Sequence, residues 1–194
     1  MSKVPVESST LSPWSLNTRR IVTAGVLAAI TIILGVTGLG LPPVPNLSGK
    51  ATFEHIPAIV GAVIEGPVVG LLTAAVFGLV SFFYIVPNYL IALARVPIGL
   101  TSWLAFVALR RVNRDLAAAV AGVVGALTNT VLVLTSAVLT RLIPLTAVPA
   151  IIPQAIFEAV IAAILLVIIA RAVYIVQGRF VRAPDTKPRD QLPY

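Results

Sequence analysis

Residues 51–70 read Ala51-Thr52-Phe53-Glu54-His55-Ile56-Pro57-Ala58-Ile59-Val60-Gly61-Ala62-Val63-Ile64-Glu65-Gly66-Pro67-Val68-Val69-Gly70. This stretch decides the fold, because it is a membrane segment cut short. Glu54 and Glu65 bracket an apolar helix, and Gly66-Pro67 starts a second apolar run at once. A helix between those two carboxylates rises about 16 Å, against about 30 Å for a bilayer core. It either stops below one surface or carries a polar end into the membrane. Both arrangements leave a place for water or a solute.

The surrounding composition sets the class. Hydrophobic residues make up 58% of the 194-residue chain and charged residues only 11%, where a soluble domain carries about 25% charged residues. The mean hydropathy is +1.02. The apolar runs are long and unbroken rather than alternating, so helices, not barrel strands, cross the membrane. The expected fold is an all-α integral membrane bundle of six transmembrane helices with a short second helix. Residues 1–20 form a polar N-terminal segment, 21–176 the membrane domain and 177–194 a charged tail. The chain has no cysteine, which excludes disulfides, thiolate catalysis and cysteine-based metal sites. We expect no cofactor and no bound metal. The net charge of +7 comes from basic residues flanking apolar spans, so it points to membrane topology and anionic lipid and not to nucleic acid.

The six expected spans are Ile21–Leu41, the short Thr52–Glu65, Pro67–Val86, Tyr89–Leu109, Leu116–Leu139 and Val148–Ala170. Arg19-Arg20 before the first span resembles a twin-arginine signal, but the apolar run is longer than a signal core of about 7–15 residues. With the N-terminus inside, one side carries Lys3, Arg19, Arg20, Arg110, Arg111, Arg114, Arg179, Arg182, Lys187 and Arg189. The other side carries Lys50 and Arg141. This imbalance obeys the positive-inside rule and places both termini in the cytoplasm. The first outer loop, Pro42 to Ala51, is stiffened by three prolines and precedes the short helix directly. A lid and an ordinary surface loop are both consistent with it.

Polar groups in hydrocarbon are costly and need a reason. Counting inward from the outer end of each span, Arg95 and Gln154 lie about 9 Å deep and Asn129 and Glu158 about 15 Å deep. Glu54 and His55 begin the short helix on the same side. Four helices thus contribute polar groups to the outer half, above inner halves that are apolar or small. The pattern predicts one outward-facing pocket over a dry seal. Each group also has a purely structural alternative: Arg95 and Glu158 as a buried ion pair, Asn129 and Gln154 as interhelical hydrogen bonds, His55 as a helix-start residue. The sequence shows no G-x-S-x-G, no H-E-x-x-H and no Walker motif. Near Lys50, Ser48-Gly49-Lys50-Ala51-Thr52 has the Gly-Lys pair but lacks the earlier glycine. A membrane-embedded lipid-modifying enzyme and a non-transport scaffold are the competing classes, and neither has a motif of its own.

Three strings carry a resemblance. They are His55 to Gly70 followed by Phe77-Gly78-Leu79 and Ser81-Phe82; Arg95-Val96-Pro97-Ile98-Gly99; and Gly125-Ala126-Leu127-Thr128-Asn129-Thr130. In these the chain resembles substrate-binding S-components of energy-coupling factor (ECF) vitamin transporters, the pantothenate, folate and riboflavin group above all. The resemblance spans about Ile21 to Val176. It implies a multi-pass protein of the bacterial cell membrane that captures one vitamin near its outer face. It also implies partners: a transmembrane coupling subunit and two cytoplasmic ATPases, which hydrolyse the ATP of this ABC-type importer. The family's A-x-x-x-A motif maps to Ala24 and Ala28, implying contact with the coupling subunit. The expected substrate-binding residues are Arg95, Asn129, Gln154, Glu158, His55 and Asn88. The link at Pro87-Asn88 is shorter than in many pantothenate-type members. Aromatics are only 7% of the chain, which favours a small flexible acid such as pantothenate over a flavin or pterin that needs stacking. Arg95 would meet its carboxylate.

Overall fold

A computed structural model describes residues 12–43 and 50–176. The expectations for residues 1–11, for the centre of the first outer loop and for the tail 177–194 lie outside the described residues. Among the described residues, five helical stretches are long and apolar enough to cross a membrane: Thr18–Thr37, Pro67–Tyr84, Tyr89–Leu109, Arg114–Leu139 and Leu145–Val176. They correspond to α1 (Thr18–Thr37), α3 (Pro67–Tyr84), the paired segments α4 (Tyr89–Arg95) and α5 (Pro97–Leu109), α6 (Arg114–Leu139), and α7 (Ile152–Val176) with the 3-10 turn Leu145–Ile151 before it. The sixth member is α2 (Ile56–Ile64). Among the described residues there is no strand; the only sheet-like pairing is an isolated antiparallel bridge, Pro43 to Lys50, across the base of the first loop.

The short helix is the centre of the bundle. α2 packs against α1, α3, α5, α6 and α7, and every residue from Ile56 to Val63 is buried. A helix that is apolar on all sides belongs in the interior, and the sequence of α2 is of that kind. Around it α1 packs on α3, α3 on α4 and α5, those on α6, and α6 on α7. The nine residues of α2 rise only about 14 Å.

Local sequence explains where the helices stop. Gly38, at φ 73°, ends α1 in the left-handed conformation that glycine adopts without strain. The span therefore ends short of the expected Leu41. Gly66, at φ 109°, turns the chain between α2 and α3. Pro67 then opens α3 at the position where a missing N–H is harmless. Pro97 interrupts the fourth span in the same way, so that span is two helices rather than one continuous Tyr89–Leu109. Asn113 caps α6 by accepting from Asp115 and Leu116 N–H groups at 2.8 and 3.1 Å. The last span starts in 3-10 geometry and becomes α-helical at Ile152, not at the expected Val148.

Two ion pairs and a hydrogen bond show which helix ends lie together. Arg19 Nη2 lies 2.6 Å from Glu65 Oε1, Asp115 accepts from Arg171, and Tyr174 Oη donates to Val63 O at 3.3 Å. These contacts place the start of α1, the end of α2, the start of α6 and the end of α7 at one end of the bundle. Arg110, Arg111 and Arg114 follow the end of α5 at that same end. The opposite end holds Lys50 and the exposed aromatics Phe83, Tyr84 and Tyr89, residues of the kind that sit at membrane–water interfaces.

α3 packs closely on α2 and on α5 because small residues allow backbone approach. A Cβ on Gly99 would lie 2.2 Å from the Gly70 carbonyl carbon, and one on Gly70 would lie 2.6 Å from Ala62 Cβ. Gly25 of α1 meets nothing within 4 Å. Gly99→Ala should therefore destabilise the purified protein in detergent by about 1–3 kcal/mol, read as a lower thermal midpoint, while Gly25→Ala leaves the midpoint unchanged or slightly raised.

Candidate functional site

Above α2, toward the Lys50 end, the helices enclose a cavity of about 410 Å³. Its walls come from five places. Leu41, Lys50 and Thr52 belong to the first loop; Tyr84, Ile85 and Val86 to the end of α3; Arg95 to the end of α4; Asn129, Thr130, Val133 and Leu134 to α6; Ile151, Gln154 and Glu158 to the α7 side. Four of the six expected binding residues, Arg95, Asn129, Gln154 and Glu158, are thus brought to one cavity from three helices.

Arg95 reaches this wall because of the break at Pro97. It is the last residue of α4, where the negative end of the helix dipole favours a cation. Its Cζ lies 4.1 Å from the centroid of the wholly buried Phe77 ring, a cation–π contact that steadies the guanidinium. Only 4% of Arg95 is exposed, and its Nε and Nη1 have no hydrogen-bond partner. Asn129, also nearly buried, presents an unpartnered Oδ1. Buried polar atoms normally find partners, so unfilled donor and acceptor groups around a cavity are the features that a bound polar solute can satisfy.

Glu158 and Gln154 are engaged differently. Glu158 Oε1 accepts from Thr52 N at 2.7 Å and from Gln154 Nε2 at 2.6 Å, and Gln154 Nε2 also donates to Lys50 O at 2.9 Å. Together they tie the returning limb of the first loop to α7. Arg95 and Glu158 do not form the direct buried ion pair that the sequence left open. His55 and Asn88 do not line the cavity. His55 is wholly buried beside the Thr52 backbone. Asn88 caps α4, accepting from Leu90 and Ile91 N–H groups at 2.9 and 3.2 Å. Lys50, Thr52, Tyr84 and Thr130 line the cavity without having been singled out as site residues. Thr130 adjoins Asn129 in the sequence, whereas no periodicity marks the loop residues.

A family model described as the ECF transporter substrate-specific component matches residues 19–170. The chain belongs to this family. It is accordingly a substrate-binding membrane subunit of a transporter. The structure of a protein described as the S component of a bacterial ECF transporter superposes on this S component with a TM-score of 0.63. The two share 20% sequence identity, over 83% of this chain and 98% of that one; at that identity the likeness concerns the fold. No curated protein matches in sequence. Within the S-component bundle, Ala24 is buried, at 8% exposure, and Ala28 is half-buried. The outward surface of α1 is formed instead by residues such as Ile21, Val22, Val26, Ile30 and Ile33.

Removing the Glu158 carboxylate strands the Thr52 amide. Glu158→Ala should speed hydrogen exchange of a peptide covering 50–56 by roughly 10-fold or more, the size expected for a lost bond to a charged acceptor of about 1.5–3 kcal/mol. Mass-spectrometric exchange on the solute-free protein checks it.

Proposed function

We propose that this S component captures a small carboxylate-bearing vitamin from the outside, with pantothenate the best match, and that Arg95 is the group that recognises its carboxylate. The observation that carries this is a buried guanidinium with two unpartnered nitrogens on the wall of an otherwise largely apolar cavity. Asn129 would hydrogen-bond the amide or hydroxyl part of the solute, and Val86, Val133 and Leu134 would cover its aliphatic part. Tyr84 is the one aromatic side chain on the wall, which supports a flexible acid over riboflavin or folate. Gln154 and Glu158 would act through the first loop, holding Lys50 to Thr52 across the mouth.

In this reading the basic end of the bundle faces the cytoplasm of a bacterial cell, both termini lie there, and the cavity faces outward. ATP is hydrolysed by the two ATPases of the ECF module, and a transmembrane coupling subunit docks on α1 near Ala24 and Ala28. The burial of Ala24 divides that pair. Ala24→Trp should destabilise the S component itself. Ala28→Trp should leave solute binding intact and abolish uptake in cells that carry the whole module; normal uptake by Ala28→Trp removes this face from the coupling surface.

Mass spectrometry of small molecules released from the purified chain tests the solute class. Arg95→Gln should weaken pantothenate binding at least about 30-fold, the lower bound for removing one member of a buried charge contact, as measured by calorimetry on variant protein that remains folded and monodisperse in detergent. Wild-type affinity in Arg95→Gln would falsify the assigned role.

A further inference from the structure

A second cavity, of about 160 Å³, opens at the basic end of the bundle. Val63 and Ile64 of α2, Phe106 of α5, Arg110 just after α5, Arg114 at the start of α6 and Tyr174 of α7 line it. It shares no residue with the solute cavity.

The connection between α5 and α6 brings the two arginines together. The amides of Val112 and Asn113 both donate to Leu109 O, at 2.9 and 3.1 Å, and Asn113 then caps α6. This tight turn sets Arg110 and Arg114 on one cavity, whereas Arg111 between them is not on its wall. The floor is apolar and dry: Val63, Phe106 and Tyr174 are all buried. The Tyr174 hydroxyl is committed to Val63 O, and Arg114 Cζ lies 5.9 Å from the Tyr174 ring centroid. Cations at the rim of a cleft with low-dielectric walls concentrate their field inside it. The carboxylates described at this end are engaged elsewhere. Asp115 accepts from Arg171 Nε at 2.9 Å, Glu65 lies 2.6 Å from Arg19, and neither lines the cavity.

Size and chemistry narrow what fits. Sites that enclose a whole small molecule run to about 300–1,000 Å³, so this cavity takes a single group. A guanidinium fork matches the oxygens of a phosphate two at a time. Val112 and Leu116, beside the arginines, are exposed, which suits a turn lying at the level of lipid headgroups rather than in open water. Basic pockets between the ends of membrane helices are of the kind that hold anionic headgroups.

We propose that the cavity between Arg110 and Arg114 is a binding site for one phosphate group, supplied by the headgroup of an anionic phospholipid or by free phosphate. It is a built site, distinct from the general basic charge of this end of the bundle, and it does not rest on the solute assigned to the other cavity.

Arg111 supplies the control, because its loss removes the same charge from the same turn without touching the cavity. Detergent-purified protein is titrated with dioleoyl-phosphatidylglycerol and with dioleoyl-phosphatidylcholine, and bound lipid is counted by native mass spectrometry. The wild type should bind one phosphatidylglycerol saturably and in preference to phosphatidylcholine. Arg110→Gln and Arg114→Gln should each weaken that binding about 10-fold or more, as expected for a lost charge-assisted bond. Arg111→Gln should weaken it by less than about 5-fold, as for an exposed charge. Equal losses in all three variants, or equal binding of the two lipids, overturn the site. Inorganic phosphate distinguishes the sources. Displacement of phosphatidylglycerol by millimolar phosphate, or saturable phosphate binding on its own, supports the site with soluble phosphate as its ligand; lipid binding that phosphate does not displace supports it with the headgroup. Binding of neither overturns it. Thermal midpoints of the lipid-free variants report their folding. If Arg114→Gln does not fold, Arg114→Lys takes its place: it keeps the charge and loses the fork, and wild-type lipid affinity in that variant overturns the role of Arg114.

Discussion

The structure depends on burying a helix that is too short to cross the membrane. α2 can lie at the centre because no side of it is polar, and α3 can pack closely on it and on α5 because Gly70, Gly99 and Ala62 leave room for backbone contact. In a bilayer, helix association draws on close packing and interhelical hydrogen bonds rather than on the exclusion of water. Small residues at these crossings are consequently as decisive as large apolar ones are in a soluble core. A central helix that ends early leaves a volume above it, walled by longer neighbours, and the cavity occupies that volume.

The polar residues around the cavity divide into two sets with different physics. Glu158 and Gln154 have partners in the first loop and spend their hydrogen-bonding capacity on holding it. Arg95 and Asn129 have buried atoms without partners. In the proposed scheme the first set roofs the site and the second meets the solute. Arg95 owes its place to two local features, the helix break at Pro97 and the Phe77 ring beneath its guanidinium.

Much of this was legible in the chain. Hydropathy and length gave the spans, and the Glu54–Glu65 spacing gave the short helix. The depths of Arg95, Asn129, Gln154 and Glu158 gave a common level in the membrane, because rise per residue is nearly constant in a helix. Asn88 and His55 were less readable. An asparagine directly after a proline at a helix start can cap or bind, and only the hydrogen bonds that Asn88 accepts from Leu90 and Ile91 show that here it caps. Lys50 and Thr52 escaped notice because loop residues reach a site through chain path, which has no period; Tyr84 is the last residue of α3, and its place on the cavity wall depends on how that helix packs.

The sequence by itself determined the membrane class, the helical spans, the basic end and the level at which polar groups cluster. Each of these follows from short-range regularities: run length, charge count and helical rise. Only the tertiary structure decided that the short helix is the hub rather than an edge, that Ala24 is buried, that Glu158 binds the first loop instead of pairing with Arg95, and that Glu54 is wholly buried without lining the cavity. Those outcomes depend on the rotation of each helix about its axis and on which helices are neighbours. Such quantities are fixed by packing between segments distant in the chain, and no local pattern in the sequence encodes them.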